Sequence, residues 1–268
     1  MTTIITSASK KGGVGKTTFA VTAAASLARA GYSVILLDLD GQGNATSSTG
    51  LDMRGDVYAL LVDGEEWADL LRPAPVEFAG KGDLYVLSSD ASTDNVVGIA
   101  GIQQALHDRL QLLRQAGADV VIIDTAPGNT DLHMGCYFAS NYVMIPTLCE
   151  VDAVEGVGQT IAHITRAREL GGGIPVAQVG GILPTRLNVT TKDMWFMLGE
   201  LSGRFYEHYV FKDVIRENPA WRLARQECRS IYSWKPSEHR DRTNRKRAAG
   251  DFEPVVARLV ELIGAQDE

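Results

Sequence analysis

Ten residues near the start of the chain, Ser9-Lys10-Lys11-Gly12-Gly13-Val14-Gly15-Lys16-Thr17-Thr18, constrain its fold more than any other stretch. An apolar run with Ile4 and Ile5, closed by Ser7 and Ala8, precedes them and reads as a short strand. The Ala-rich segment from Phe19 to Ala30 follows and reads as a helix. In a strand–glycine loop–helix unit, backbone N–H groups converge on an anion and the helix N-terminus adds partial positive charge. Gly12, Gly13, Val14, Gly15, Lys16, Thr17 and Thr18 then form a phosphate cradle, in which Lys16 reaches the β- and γ-phosphates and the Thr17 hydroxyl ligates Mg²⁺. Lys10 stands where the common G-x-x-x-x-G-K-[ST] pattern has glycine, and Lys11 comes directly after it. Two ammonium groups held close together repel unless phosphate lies between them, so Lys11 and Lys16 point to ATP. For Lys10 a merely solvated position explains as much.

The remainder reads as βα units, and hence as a mostly parallel sheet. Ser33–Asp38, Leu84–Ser88, Asp119–Asp124, Tyr142–Pro146 and Val176–Leu183 are expected strands. Ile99–Gln115 and Ala153–Leu170 are expected helices, with shorter helical pieces near Tyr58–Val62 and Trp67–Leu71. From Lys192 onward the chain is expected to be mainly helical, ending in Phe252–Ile263. At 268 residues this makes one α/β domain over 1–268, a doubly wound sheet flanked by helices, with a helical, basic portion from about 192 to 268.

Hydrolysis of a nucleotide needs a carboxylate near Mg²⁺ and a group that orients the attacking water. Asp124 closes the most apolar strand and precedes Thr125-Ala126-Pro127-Gly128, and Asp38 ends another strand just before Asp40. Strand ends are where open α/β sheets place their sites. An acid there can also serve only as a turn cap, or, for Asp38, as the partner of a lysine.

The run from Lys11 to Thr18 resembles the deviant Walker A box of the ParA/MinD ATPases. Asp38-Leu39-Asp40-Gly41-Gln42-Gly43-Asn44 is similar to that family's D-x-D-P-Q-G-N stretch, and Asp124-Thr125-Ala126-Pro127 to its D-T-P-P box. The resemblance covers most of residues 2 to 190 and thins beyond Lys192. It implies a P-loop ATPase in which Lys11 crosses a dimer interface to the partner's nucleotide and Asp40 polarises the attacking water. By the same resemblance Asp124 holds Mg²⁺ through water, Thr17 and Asp40 complete the metal surroundings, and Gln42 and Asn44 sense the γ-phosphate. Gly41 and Ala126 stand where the family has proline, which loosens both loops because glycine and alanine leave φ free. In Gly181-Ile182-Leu183-Pro184-Thr185-Arg186-Leu187-Asn188, Arg186 could stack on adenine or be a surface arginine, and Phe211–Pro219 could form the opposite wall.

The formal charge of −7 hides an asymmetry. Between Lys212 and Arg247 eleven basic residues outweigh five acids, giving that segment +6 and the rest of the chain −13. Trp221, Tyr232 and Trp234 lie among these arginines, and Arg240, Arg242, Arg245, Lys246 and Arg247 crowd together. A basic block on an acidic protein suggests a polyanion-binding patch, and non-specific DNA binding is mostly phosphate neutralisation. The family resemblance implies an ATP-dependent homodimer on DNA and a ParB-like centromere-binding stimulator, hence plasmid or chromosome partition. The alternative is a MinD-like positioning ATPase for a protein or membrane-associated cargo. The tail from Phe252 sets Glu253, Glu261, Asp267 and Glu268 against Arg258 alone, so anionic lipid would repel it. No apolar run approaches the ~18 residues of a membrane span, and the N-terminus lacks a signal-peptide pattern. Cys136, Cys149 and Cys228 are too few and scattered for a disulfide or iron–sulfur framework, which fits reduced thiols in a cytoplasm.

Overall fold

The computed structural model describes residues 1–114, 117–150, 152–188, 192–204 and 209–266. Eight strands form one sheet: β1 (Thr3–Ser7), β2 (Ser33–Leu39), β3 (Arg72–Pro73), β4 (Asp83–Leu87), β5 (Val120–Thr125), β6 (Tyr142–Leu148), β7 (Gln178–Leu187) and β8 (Ile215–Arg216). Their order is β3-β4-β2-β5-β1-β6-β7-β8, and every pairing is parallel except β3 with β4. All residues of β1 and β5 are buried, as expected when both faces of a parallel strand are covered.

The helices used below are α1 (Lys16–Ala30), α2 (Asn44–Ser48), α3 (Ile102–Leu113), α4 (Asp131–Ala139), α5 (Ala153–Leu170), α6 (Lys192–Arg204), α7 (Pro219–Gln226) and α8 (His239–Gly264). One apolar cluster joins α3, α4 and α5 to one sheet face through Leu106, Leu110, Tyr137 and Ile164. A second joins α1 and α8 to the other face through Phe19, Leu27, Phe252 and Leu259. Alanine at 20, 23, 24, 25 and 28, each fully buried, lets α1 lie close on the sheet. A third, smaller cluster holds Ala220, Ala224, Ile231, Trp234 and Ala248.

The expected strands and helices are present, with shifted ends. β7 runs past Leu183 to Leu187, and β8 carried no period in two residues. The segment after Asp40, expected as loop to Thr46, turns helical at Asn44. The last helix spans 26 residues rather than Phe252–Ile263. Its first half is polar and lacks apolar periodicity, although Arg and Lys favour helix. The expected helix end at Gln115 and the acids Asp267 and Glu268 lie outside the described residues. Among the described residues, no helix is long and apolar enough to cross a membrane.

Candidate active site

β1, β2 and β5 end at the same edge of the sheet, and there the phosphate loop meets two acidic strand ends. Ser7 pairs with Asp124 across β1 and β5, and Asp38 pairs with Asp124 across β2 and β5. The loop is pinned from its own chain: the Thr125 hydroxyl donates to the Ser7 carbonyl at 2.8 Å, and the Thr185 hydroxyl to the Val14 carbonyl at 2.6 Å. Gly15, the residue before α1, sits at φ 93°, a left-handed conformation that a side chain would strain.

Lys16 is 6% exposed, and its ammonium donates to the carbonyls of Ser9 (3.3 Å) and Lys11 (3.2 Å). Burial lowers its pKa, while Asp124 and Asp40 pull the other way. Lys11 lies elsewhere. Its Nζ donates to Glu150 Oε2 at 2.6 Å on the surface, and that bond, helped by Asp152, raises its pKa. Lys11 does not line the cavity that Lys16 and Thr17 share.

Asp38 is fully buried, and among the described residues it pairs with no lysine. It accepts from the Thr46 N–H and hydroxyl, both at 2.8 Å, and from the Asp40 N–H at 3.2 Å. Burial raises its pKa to about 6, against these hydrogen bonds. It therefore anchors α2 to the loop that holds Asp40. Asp40 itself faces the cavity and accepts from the Gln42 N–H at 3.0 Å. Both Asp124 oxygens are buried, and neither accepts a hydrogen bond of ordinary geometry. Burial raises its pKa well above the carboxylate range and Asp38 adds to this, while the nearby Thr17 hydroxyl and Lys16 oppose it. An unsatisfied buried carboxylate beside a threonine hydroxyl and a lysine fits a divalent cation bound with a phosphate. Thr17, Asp124 and Asp40 could thus surround Mg²⁺.

The cavity measures about 830 Å³ and extends from Gly13, Gly15 and Thr18 to a wall of Ile215, Arg216, Glu217, Asn218 and Pro219. Ile215–Pro219 therefore lie where a base could rest. Phe211 does not line the cavity; its ring packs on Gly181, where a Cβ would come within 2.3 Å of it. Arg186 is exposed at φ 53°, lines the rim, and donates to the Gly13 carbonyl at 3.4 Å. Asn44 accepts from Arg225 of α7 at 2.6 Å, which joins the expected γ-phosphate sensor to the basic segment.

That segment is sorted by burial. Trp234 is 2% exposed and belongs to the core, whereas Trp221 is half-buried, meets Phe252 edge-on at 6.2 Å and lines the cavity. Arg216 forks onto Asp251, Arg229 pairs with Glu77, and Arg245 donates to the Tyr232 and Trp234 carbonyls. Lys212, Arg222, Arg225, Lys235, Arg240, Arg242, Lys246 and Arg247 remain exposed. Glu150, Thr46, Thr185 and Arg225 are contacts that sequence reasoning missed. Only the strand-end positions of Glu150 and Thr185 hinted at them.

Residues 2–171 match the AAA-domain family. The chain is 36% identical over 211 residues to the chromosome-partitioning ATPase Soj of Thermus thermophilus, covering 79% of this chain and 80% of that protein. It is 32% identical to the sporulation initiation inhibitor protein Soj of Bacillus subtilis, covering 80% and 84%. Among solved structures, the Cyanothece McdA–ATP complex shares the fold with a TM-score of 0.78 at 21% identity, over 95% and 96% of the two chains. Cobyrinic acid a,c-diamide synthase of Mycobacterium smegmatis, with ADP and magnesium bound, gives 0.70 at 26%, over 85% and 93%. With its glycine loop, its strand-end acids and these relatives, the chain is an ATP-binding ATPase and belongs to the ParA/Soj family of partition ATPases.

Proposed function

We propose that this ATPase works as an ATP-dependent homodimer that binds DNA non-specifically and drives plasmid or chromosome partition with a ParB-like centromere-binding stimulator. The observation that carries the reading is the separation of the two lysines. Lys16 is folded into its own phosphate loop, whereas Lys11 sits on the surface outside the cavity, held by Glu150. A cation so placed can reach a triphosphate across a seam between two copies. In this reading the whole chain, 1–268, acts as one ATPase domain in the cytoplasm, on the nucleoid when ATP is bound.

Roles follow from position. The backbone of Gly12–Thr18 cradles the phosphates, Lys16 neutralises them, and Arg186 closes the rim near the base. Thr17, Asp124 and Asp40 would hold Mg²⁺, which would supply charge neutralisation on the phosphate oxygens. Asp40 orients the attacking water. The exposed arginines and lysines of α7 and α8 meet DNA phosphates, an electrostatic contact that weakens steeply with salt.

Two variants test this. Lys11→Ala is expected to abolish ATP-dependent dimerisation, and an unchanged sedimentation profile with ATP would rule out the role in trans. Asp40→Ala is expected to lower hydrolysis on the order of 10²-fold and to hold the ATP-bound dimer on arbitrary duplex DNA. Normal turnover by that variant removes Asp40 from the mechanism. Gel shifts with and without ATP across a salt series separate this reading from a cargo-positioning ATPase that ignores DNA.

A further inference from the structure

Ala126 lies two residues beyond Asp124, in the loop that runs along the phosphate cradle. A Cβ on Gly12 would sit 3.8 Å from the Pro127 ring, so this loop rests directly on the glycine turn. Pro127 also lines the ATP cavity. Nothing about the Ala126 side chain restrains the loop, because a methyl group leaves φ free.

A buried histidine supplies a restraint from behind. His133, in the first turn of α4, is 2% exposed. Its Nε2 is 3.1 Å from the Ala126 carbonyl. A carbonyl can only accept, so Nε2 carries the proton and donates. Nδ1 is then the acceptor, taking the Thr130 N–H at 3.2 Å and the Thr130 hydroxyl at 2.9 Å. Both ring nitrogens are thus used, one to cap α4 and one to hold the loop. Burial lowers the His133 pKa to about 4, so the ring is neutral and keeps this arrangement near neutral pH. A small cavity of about 30 Å³ lies beside the pair, lined by Leu39, Thr93, Asp94, Thr125, Ala126 and His133. It offers space next to the Ala126 methyl that a larger, stiffer residue could enter. Gly41 borders the same neighbourhood: a Cβ there would fall 2.3 Å from the Asp94 carboxylate.

We propose that His133 is a positioning residue of the ATPase reaction: by holding the Ala126 carbonyl it fixes the Ala126–Gly128 loop against the phosphate cradle, the restraint a proline at 126 would provide. The ring does not line the cavity that Lys16 and Thr17 share. It acts through the loop, and its loss lets the loop drift while leaving the glycine turn and Lys16 in place.

The test is steady-state ATP hydrolysis by His133→Leu, with thermal stability measured in parallel. The expected result is a kcat lower by about ten-fold, since a loop displaced by an ångström is costly, with KM for ATP changed by less than about three-fold. His133→Gln, which can still donate to the carbonyl, is expected to keep kcat within about three-fold of the parent. The double variant His133→Leu/Ala126→Pro is expected to recover most of the lost kcat without recovering the lost melting temperature. Equal kcat in all four proteins overturns the proposal. So does a kcat that follows melting temperature alone, with no rescue by proline. If His133→Leu does not fold, Thr130→Val removes the hydroxyl that orients the ring and keeps the N–H. A kcat fall of about three-fold at constant KM is then expected, and no change overturns the proposal.

Discussion

Around the phosphate loop, charged side chains are buried and some are left without partners; across the C-terminal helices most are exposed and the others are paired with carboxylates or backbone carbonyls, while Trp234 takes the interior. Lys16, Asp38, Asp40 and Asp124 are all buried, and among the described residues neither Asp124 oxygen has a partner at ordinary hydrogen-bond geometry. Eight arginines and lysines between Lys212 and Arg247 face solvent while Trp234 is 2% exposed. The first arrangement is costly unless a ligand of opposite charge completes it, because buried unpaired charge is strongly disfavoured. The second costs little and leaves a surface whose attraction extends only over a Debye length. One region therefore holds a specific anion, and the other provides a salt-sensitive field.

The contrast can be broken or sharpened by measurement. The largest effect is expected from Lys16→Ala, which removes the buried cation: turnover should fall about 10³-fold while the circular dichroism spectrum stays native. Retained turnover would mean that the buried charges do not serve the phosphates. Next is acid sensitivity. His133 has a pKa of about 4 against an ordinary 6.5, so the unfolded chain takes up a proton that the folded chain refuses. Its contribution to stability is fully present above pH 6.5 and is lost as pH falls through about 4, a change of ~3 kcal/mol at most. Denaturant unfolding of the parent and of His133→Gln should diverge in slope over that window, and parallel curves would refute the assignment. The smallest effect is expected from Arg240→Ala with Arg247→Ala, seven residues apart on the exposed half of α8. Hydrolysis without DNA should be unchanged, and the salt slope of duplex binding should shrink by about two. An unchanged slope would move the DNA surface elsewhere.

The sheet was legible because its strands are continuous apolar runs between turn residues, as Val120–Thr125 and Ser33–Leu39 illustrate. The phosphate loop was legible because its chemistry depends on residue type at fixed spacing. Contacts set by tertiary approach were not. Glu150 is an unpatterned acid until β6 places it beside Lys11, and Arg225 is one arginine among many until α7 lays it on Asn44. Asp38 read equally well as an ion-pair partner, and only burial against Thr46 distinguishes its role. That Trp221, Tyr232 and Trp234 lie among the arginines does not say which way each ring faces; the third apolar cluster answers that for Trp234, which lies inside it.

Helix α8 joins the two regions, and Phe252 is its contact nearest the phosphate loop. The Phe252 ring meets that of Phe19 at 6.1 Å, tilted by 46°; Phe19 lies one turn from Lys16 on α1, and the helix continues back from Phe252 to Arg240. At ~1.5 Å per residue, Arg240 is about 18 Å from that ring. A tilt of about 10° at the Phe19 end would sweep its guanidinium by about 3 Å, enough to make or lose one phosphate contact. In the proposed cycle, small rocking of the helix behind the glycine turn would be magnified at its far tip.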